Sequence, residues 1–206
     1  MAMHPYERKD FYYKKAKSLG LNSRAAFKIM ELHSKFRLFK PGMYVVDLGA
    51  SPGGWLQIIS KEVGPSGQVI GVDLEPAVGT PAKNVLFIQG DIREERTQNR
   101  ILLELGRKVD VVVSDLAPHL SGVKFQDQYN SYELAEMGLK CCKLVLKEGG
   151  DFVVKIFPGE ELEQFKGTLK ACFVQVKVYI PDSSRKSSSE IYLVSKGFSS
   201  RHNGQS

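Results

Sequence analysis

The sequence predicts an α/β fold: a sheet of seven strands, most of them parallel, with helices on both faces. Two observations carry this. The apolar runs, such as those at 43–48, 109–114 and 151–157, are near-continuous rather than alternating, as in strands buried on both sides. They are separated by stretches with helical periodicity and by Gly/Pro bends. No internal repeat and no linker interrupts the 206 residues, a length that suits one α/β domain with a sizeable core.

The elements follow in order. Ser23 is placed to cap a helix running to about His33, because its hydroxyl can accept from free N–H groups of the first turn. A strand at 43–48 leads into a helix at 54–62, and Gly64-Pro65-Ser66-Gly67 turns the chain into a strand at 68–73. A strand at 84–89 ends at Gly90-Asp91, followed by a polar helix at 93–105 and a strand at 109–114. A helix at 128–147 is expected to stop at Gly149-Gly150. A strand at 151–157 ends at Pro158-Gly159, then come a helix at 160–170, a strand at 173–179, a loop from Pro181 to Ser189 and a last strand at 190–195.

The most informative stretch is Val45-Val46-Asp47-Leu48-Gly49-Ala50-Ser51-Pro52-Gly53-Gly54-Trp55. It is an apolar strand that ends in a carboxylate and bends through glycines into a helix, so no Cβ blocks the approach of a ligand. The next strand ends at Asp73, about 20 residues past the bend, where nucleotide-binding α/β folds put the acid that holds a ribose diol. Neither G-x-G-x-x-G nor the Lys-Ser/Thr of a P-loop is present. A Gly bend and a ribose acid without a phosphate signature suit a nucleoside lacking phosphates, of which S-adenosylmethionine is the commonest cofactor. The same bend also reads as an ordinary tight βα turn.

Charge is unevenly placed. Residues 1–40 carry ten Lys/Arg against three acids, or +7 of a whole-chain +6, which leaves −1 for the rest. Tyr6, Phe11, Tyr12 and Tyr13 are interleaved with these cations. Cations for phosphates and rings for stacked bases suit a nucleic acid, and a solvated terminus is the plainer alternative. We therefore expect a basic, RNA-contacting extension and helix at 1–40, a catalytic domain at 41–198 and a disordered tail at 199–206. With 42% apolar residues, no run of membrane-spanning length and no apolar N-terminal signal, a soluble cytoplasmic protein is expected. The expected state is a monomer. The three cysteines lack metal-ligand spacing, and Cys142 falls on the apolar series Tyr132, Ala135, Leu139, Cys142, Leu146, which suits core packing.

In parallel sheets ligands bind at the carboxyl ends of the strands. The first four strands end in Asp47, Asp73, Asp91 and Asp115. The fifth carries Lys155 inside an apolar run, an expensive position for an ammonium without a counter-charge. If the final strand is antiparallel, Glu190 starts it at the same rim and Lys155 sits between Asp115 and Glu190. A structural ion pair or an edge lysine is the alternative. Lys28 shares a helix face with Arg24, Glu31 and Lys35, which by spacing reads as a solvated face. His4, His33 and His202 have no evident partner set, and His119 suits loop support better than a pocket. Trp55 is either a packing ring or a wall beside the cofactor.

Taken together, Ser23-Arg24-Ala25-Ala26-Phe27-Lys28, the 47–55 bend, Ser114-Asp115-Leu116-Ala117-Pro118, Val154-Lys155-Ile156-Phe157 and Pro181-Asp182-Ser183-Ser184-Arg185 with Glu190 resemble the FtsJ/RrmJ family of RNA 2′-O-ribose methyltransferases. The resemblance runs from about residue 8 to 197, with the motifs in family order. It implies a Rossmann-like, S-adenosylmethionine-dependent methyltransferase fold with one antiparallel strand. It implies a catalytic set of Lys28, Asp115, Lys155 and Glu190, and it alone moves Lys28 from the surface to the site. It implies cofactor contacts at Gly53, Trp55, Asp73, Asp91 and Asp115. The rest of the bend (Asp47, Gly49, Pro52, Gly54) and the residues after two of the acids (Leu74, Ile92) complete the expected cofactor site. No metal is expected. Compact members methylate a uridine ribose of large-subunit (23S) ribosomal RNA, and relatives act on tRNA anticodon loops or mRNA caps. The Pro181–Arg185 loop looks more like the ribosomal type.

The chemistry suits these residue types. A ribose 2′-hydroxyl is a weak nucleophile that must lose its proton around the transition state. Lys155 either takes that proton or, charged, stabilises the developing alkoxide, and flanking acids favour the second. Two other classes remain: an S-adenosylmethionine enzyme acting on a base or small molecule, and a non-catalytic RNA-binding module. The first lacks the aromatic ring expected after Asp115, and the second has no reason to keep the four polar residues.

Overall fold

The computed structural model describes residues 5–79, 81–184 and 189–200, with side chains from residue 11 onward. Among the described residues six helices and seven strands follow one another as α1 (Pro5–Ser18), α2 (Ala26–Phe36), β1 (Tyr44–Leu48), α3 (Gly54–Val63), β2 (Gln68–Asp73), β3 (Val85–Gln89), α4 (Glu95–Leu105), β4 (Val109–Ser114), α5 (Lys124–Val145), β5 (Leu146–Ile156), α6 (Leu162–Lys170), β6 (Phe173–Tyr179) and β7 (Ile191–Phe198). The strands form one sheet in the order β3-β2-β1-β4-β5-β7-β6. Only β7 runs against its neighbours, pairing antiparallel with both β5 and β6. The expected mostly parallel sheet with one antiparallel strand is present.

Strand order reverses between β1 and β4. The chain winds outward from β1 to β3 and then returns to lay β4 on the other side of β1. The carboxyl ends of β1 and β4 therefore face a crevice, the place where open α/β sheets hold ligands.

Alternate residues of each strand supply opposite faces, and each face packs a separate core. Val46, Ile70, Val112, Phe152 and Val154 pack with Ile101, Tyr132, Leu139, Cys142 and Phe165 from α4, α5 and α6. Val45, Val69, Val111, Val113, Val153 and Tyr192 pack with Ile29, Leu32, Trp55, Leu56 and Ile59 from α2 and α3. The cysteines are buried and free, and burial pushes the Cys141 thiol up to about 12, so they serve packing. No helix among the described residues is long and apolar enough to cross a membrane.

Several local expectations are corrected. Ser23 does not cap α2: the helix starts at Ala26, the Ser23 carbonyl accepts the Ala26 N–H at 3.3 Å, and its hydroxyl is buried without a partner. The fifth helix spans 124–145 rather than 128–147, and β5 begins at once, so Gly149-Gly150 lies inside a strand. Pairing decides this boundary. Val109 of β4 pairs with Leu146, Val111 pairs with Asp151, and the residues between bulge outward. A Cβ at Gly150 would lie 2.7 Å from the Leu146 side chain and 2.9 Å from the Asp110 carbonyl, so only glycine fits. The last strand extends to Phe198, because its ladder with β6 continues until Phe198 meets Phe173. α1 lies where no element was expected. Most of the expected tail lies outside the described residues; of those described, the Ser199 N–H donates to the Cys172 carbonyl at 2.8 Å and the Ser200 N–H to Glu148 at 3.0 Å.

Candidate active site

Lys155 is the next-to-last residue of β5, and its side chain is only 5% exposed. Its Nζ donates to the Asp115 carbonyl at 2.6 Å and pairs with Asp115 Oδ1 at 3.1 Å. Asp115 follows β4 directly, with its N–H held by the Leu48 carbonyl of β1 at 2.9 Å. The Tyr192 hydroxyl donates to the same Oδ1 at 2.7 Å. Across the sheet Lys155 pairs with Tyr192, and both project toward α2 and α3.

Lys28 enters from α2, 13% exposed, with its Nζ 2.6 Å from Glu190 Oε1 and 5.9 Å from the Tyr192 ring centre. The Ser184 hydroxyl also donates to Glu190 Oε1, at 2.9 Å. The four residues named by the resemblance thus meet in one place. The arrangement corrects the expectation in one respect: Lys155 pairs with Asp115, whereas Glu190 takes its cation from α2. Glu190 precedes β7 and lies two residues before Tyr192, the residue that faces Lys155.

The polar face of α2, with Arg24 just before it, is only partly solvated, and Lys35 stays exposed. Arg24 donates to the Ser183 carbonyl at 2.8 Å, Glu31 accepts from the backbone of Asp182 (2.6 Å) and Ser183 (3.0 Å), and Lys35 lies 4.7 Å from the Tyr179 ring centre. This face grips the end of β6 and the residues just after it, Tyr179, Asp182 and Ser183. Loop backbone takes the place of water as its polar partner.

Electrostatics follow from these contacts. Burial alone would raise the Asp115 carboxyl; Lys155, then Lys28, with hydrogen bonds from Tyr192 and Lys155, outweigh it and hold the group below the ordinary aspartate value. Burial first, then Asp115 and Glu190, push the Tyr192 phenol well up, so Tyr192 acts as a neutral donor. Asp47 has the opposite balance. It is fully buried, neither carboxylate oxygen has a partner, and burial with Asp115 and Asp73 nearby pushes it well above the ordinary range. This is a buried acid short of a cation.

The bend from β1 to α3 is held by the chain itself. Asp73 accepts the Ser51 N–H at 2.9 Å and the Glu75 N–H at 3.0 Å. The Ser51 hydroxyl donates to the Pro76 carbonyl at 3.0 Å, and the Ser51–Pro52 peptide is cis. Glycines at the bend are expected to admit a ligand, and all three also admit close approach of the protein itself. A Cβ at Gly49 (φ +80°) would lie 2.9 Å from the Leu116 N, at Gly53 (φ +106°) 3.0 Å from the Asn22 amide, and at Gly54 2.3 Å from the Ser23 hydroxyl. The Asn22 side chain donates to the Pro52 carbonyl at 3.1 Å and to the Val78 carbonyl at 2.8 Å, bridging the bend to the loop after β2. Trp55 is buried, donates to the Ala25 carbonyl at 2.8 Å and lies 6.0 Å from Tyr192, contacts that a packing ring and a wall beside the cofactor share. Leu74 is exposed and Ile92 buried at the ends of β2 and β3. Asp91 is taken by the exposed Arg93 at 2.8 and 2.9 Å, whose hydrogen bonds lower its carboxyl. An exposed pair of this kind contributes about 0–1 kcal/mol.

His33 holds a loop, accepting the Phe39 N–H at 3.1 Å, and His119 is exposed. His4 and His202 lie outside the described residues. Among the described residues no group of His, Cys, Asp or Glu is arranged to hold a metal ion.

Sequence reasoning missed Tyr192 and Asn22. A tyrosine inside an otherwise apolar buried strand was the available signal, since a buried phenol needs a partner. Asn22 had none, because its partners are backbone carbonyls of a distant bend.

The fold is that of the S-adenosylmethionine-dependent methyltransferases, with polar residues gathered at its switch point. A model of the FtsJ-like methyltransferase family matches residues 21–198, and the chain belongs to that family. It is 45% identical to the ribosomal RNA large subunit methyltransferase E of Cellvibrio japonicus, over 92% of this chain and 89% of that one. The Coxiella burnetii protein of the same name is 45% identical over 92% and 91%. Among solved structures, a Plasmodium falciparum protein assigned as a ribosomal RNA methyltransferase is 31% identical with a TM-score of 0.75, over 86% of this chain and 98% of that one. Fibrillarin of Aeropyrum pernix, with S-adenosylmethionine bound, shares the fold at 21% identity and a TM-score of 0.56, over 76% and 67% of the two chains.

Proposed function

We propose that this protein transfers a methyl group from S-adenosylmethionine to a ribose 2′-oxygen of large-subunit ribosomal RNA, at a uridine. The observation that carries the chemistry is the coupled set Lys155–Asp115–Tyr192 beside Lys28–Glu190 at the β1/β4 crevice. The names of the relatives carry the substrate. A cytoplasmic enzyme acting without a metal is part of the same reading.

The residues present fit the cofactor. Asp47 lacks a cation, and S-adenosylmethionine brings an ammonium and a sulfonium. Asp73, a carboxylate with lone pairs beyond its two backbone bonds, suits the ribose diol. Leu74 and Ile92 offer apolar flanks to adenine, and Asp91 an acceptor. When bound, the cofactor supplies an electrophilic methyl on sulfur. The protein's part is positioning and charge. Two of the three Lys155 donors are taken by Asp115, which fixes the ammonium and leaves one N–H for the hydroxyl oxygen. Lys155 stabilises negative charge as it develops on that oxygen, and the hydroxyl proton, made acidic as the new C–O bond forms, leaves to solvent. Lys28, tied by Glu190, adds a second cation for the neighbouring phosphate. α1, with exposed Phe11 and Tyr13 among its lysines, supplies RNA contacts outside the crevice.

The test is methyl transfer to large ribosomal subunits from cells lacking the gene, with ribose and base products separated by nuclease digestion. We expect a nuclease-resistant, ribose-methylated uridine. A methylated base, or an unchanged 2′-O-methylation map of ribosomal RNA in those cells, overturns the reading.

A further inference from the structure

The loop from Leu116 to Val123 leaves the catalytic Asp115 and runs into α5. The loop and the first turn of α5 carry a concentration of exposed apolar surface: Leu120 is 70% exposed, Val123 57% and Phe125 58%. Burying such side chains would be favourable, so leaving three of them in water beside a polar crevice calls for an occupant.

The loop is nonetheless held in shape. The Asp127 carboxylate accepts the Ser121 N–H at 2.7 Å and the Ser121 hydroxyl at 2.8 Å, and that hydroxyl accepts the Val123 N–H at 3.1 Å. These hydrogen bonds hold the Asp127 carboxyl below its ordinary value. The start of the loop is fixed where Leu116 backs onto Gly49.

Its place in the fold points toward the reacting centre. Phe125, Gln128 and Tyr129 share a face of α5 by their spacing. Gln128 donates to the Pro158 carbonyl, and one turn on, Ser131 accepts the Phe157 N–H at 3.0 Å. Pro158 lies three residues past Lys155, on the loop leaving β5. Phe125 thus stands one helical turn beyond the exit of the strand that carries Lys155, with the exposed Lys124 beside it.

We propose that Phe125, with Leu120 and Val123, forms a stacking platform for an unpaired nucleobase next to the methylated ribose. The proposal rests on the ribose-methylation reading and names how that substrate is held. A base fits this surface for three reasons. The ring is presented on a prearranged support. The exposed Lys124 precedes it in the chain, a cation within reach of the attached phosphate. The surface begins on the loop that follows Asp115, and its helix is tied through Gln128 to Pro158, three residues past Lys155. A single strand stacks on protein aromatics with little sequence preference, so the platform would hold the nucleotide while Lys155 and Lys28 address its ribose and phosphate.

The experiment compares Phe125→Ala, Phe125→Leu and Phe125→Trp, using large subunits from cells lacking the gene as acceptor. Phe125 is more than half exposed, so all three variants are expected to fold, with wild-type melting temperature and calorimetric affinity for S-adenosylmethionine. We expect Phe125→Ala and Phe125→Leu to lose about 10-fold or more in kcat/KM for the acceptor, the scale of one stacked base, and Phe125→Trp to retain it. Wild-type kcat/KM in Phe125→Ala overturns the proposal. Equal recovery by Leu and Trp also overturns it, because that pattern marks an apolar contact with protein. A wild-type enzyme that methylates no ribose would instead sink the underlying reading.

Discussion

The Tyr192 hydroxyl donates to Asp115 Oδ1 at 2.7 Å, the same oxygen that lies 3.1 Å from the Lys155 ammonium. One carboxylate oxygen therefore ties β4, β5 and β7 together at the rim of the crevice. A buried carboxylate in that position needs both donors, and each keeps the other in place.

Tyr192 is accordingly a positioning residue. Tyr192→Phe keeps the ring and removes one of the hydrogen bonds that hold the Asp115 carboxyl low. The sign follows: the Asp115 pKa rises in the variant, so the acid limb of the kcat/KM profile moves to higher pH. Because the native carboxyl is depressed, its contribution to stability is present above the ordinary aspartate value and lost as pH falls through the folded value; the variant loses it sooner. An acid limb that stays in place would show that Tyr192 does not act through Asp115.

Lys155→Ala is expected to fold and bind cofactor yet lose roughly 10²-fold or more in single-turnover rate, the scale for losing a preorganised charge. Removing the lysine leaves Asp115 uncompensated and lowers the melting temperature on either reading; for a merely structural lysine, activity falls only in step with the folded fraction. A folded variant with a near-normal rate would falsify the catalytic role.

Lys28 and Glu190 form one unit, with 2.6 Å between Nζ and Oε1. Each alanine variant should be milder than Lys155→Ala. The double variant should lose little more than the worse single one, because removing either partner already breaks the pair. Additive losses in kcat/KM would show that the two act separately.

Asp47→Asn separates folding from binding. A buried acid with a raised pKa destabilises the folded state increasingly as pH rises above the ordinary aspartate value of about 3.9. The amide removes that burden, so the ligand-free variant should melt higher than wild type at pH 7, with the difference shrinking toward pH 4. Its affinity for S-adenosylmethionine should fall, because a cation loses its counter-charge. Thermal denaturation at both pH values and calorimetry check this; a lower melting temperature with unchanged affinity contradicts it.

Neutralising Lys14, Lys15 and Lys17 together should weaken RNA binding and flatten its salt dependence by up to ~3 in slope, near one per phosphate contact. Lys15 lies 5.6 Å and 5.5 Å from the Phe11 and Phe27 ring centres, so its loss also removes support for the arm. Unchanged affinity and slope would remove α1 from the RNA surface.

The strands, the Gly bend and the acids that end β1 to β4 were legible in the sequence, because apolar runs and turn residues are properties of contiguous segments. Lys155 stood out for the same reason, as a charge inside such a run. The tertiary structure decided the partners. Tyr192 and Asp115 lie 77 residues apart and meet only through the register of β5 against β7. Lys28 leaves the solvent because the segment after β6 folds back over α2 and offers Glu190 and backbone groups in place of water. Even the boundary at Val145–Leu146 is a pairing effect, since Leu146 extends to meet Val109 where the local sequence would continue a helix. The residue types at the site were present in local pattern; which charge neutralises which depended on strand register and helix docking, and these are set by the packing of distant segments.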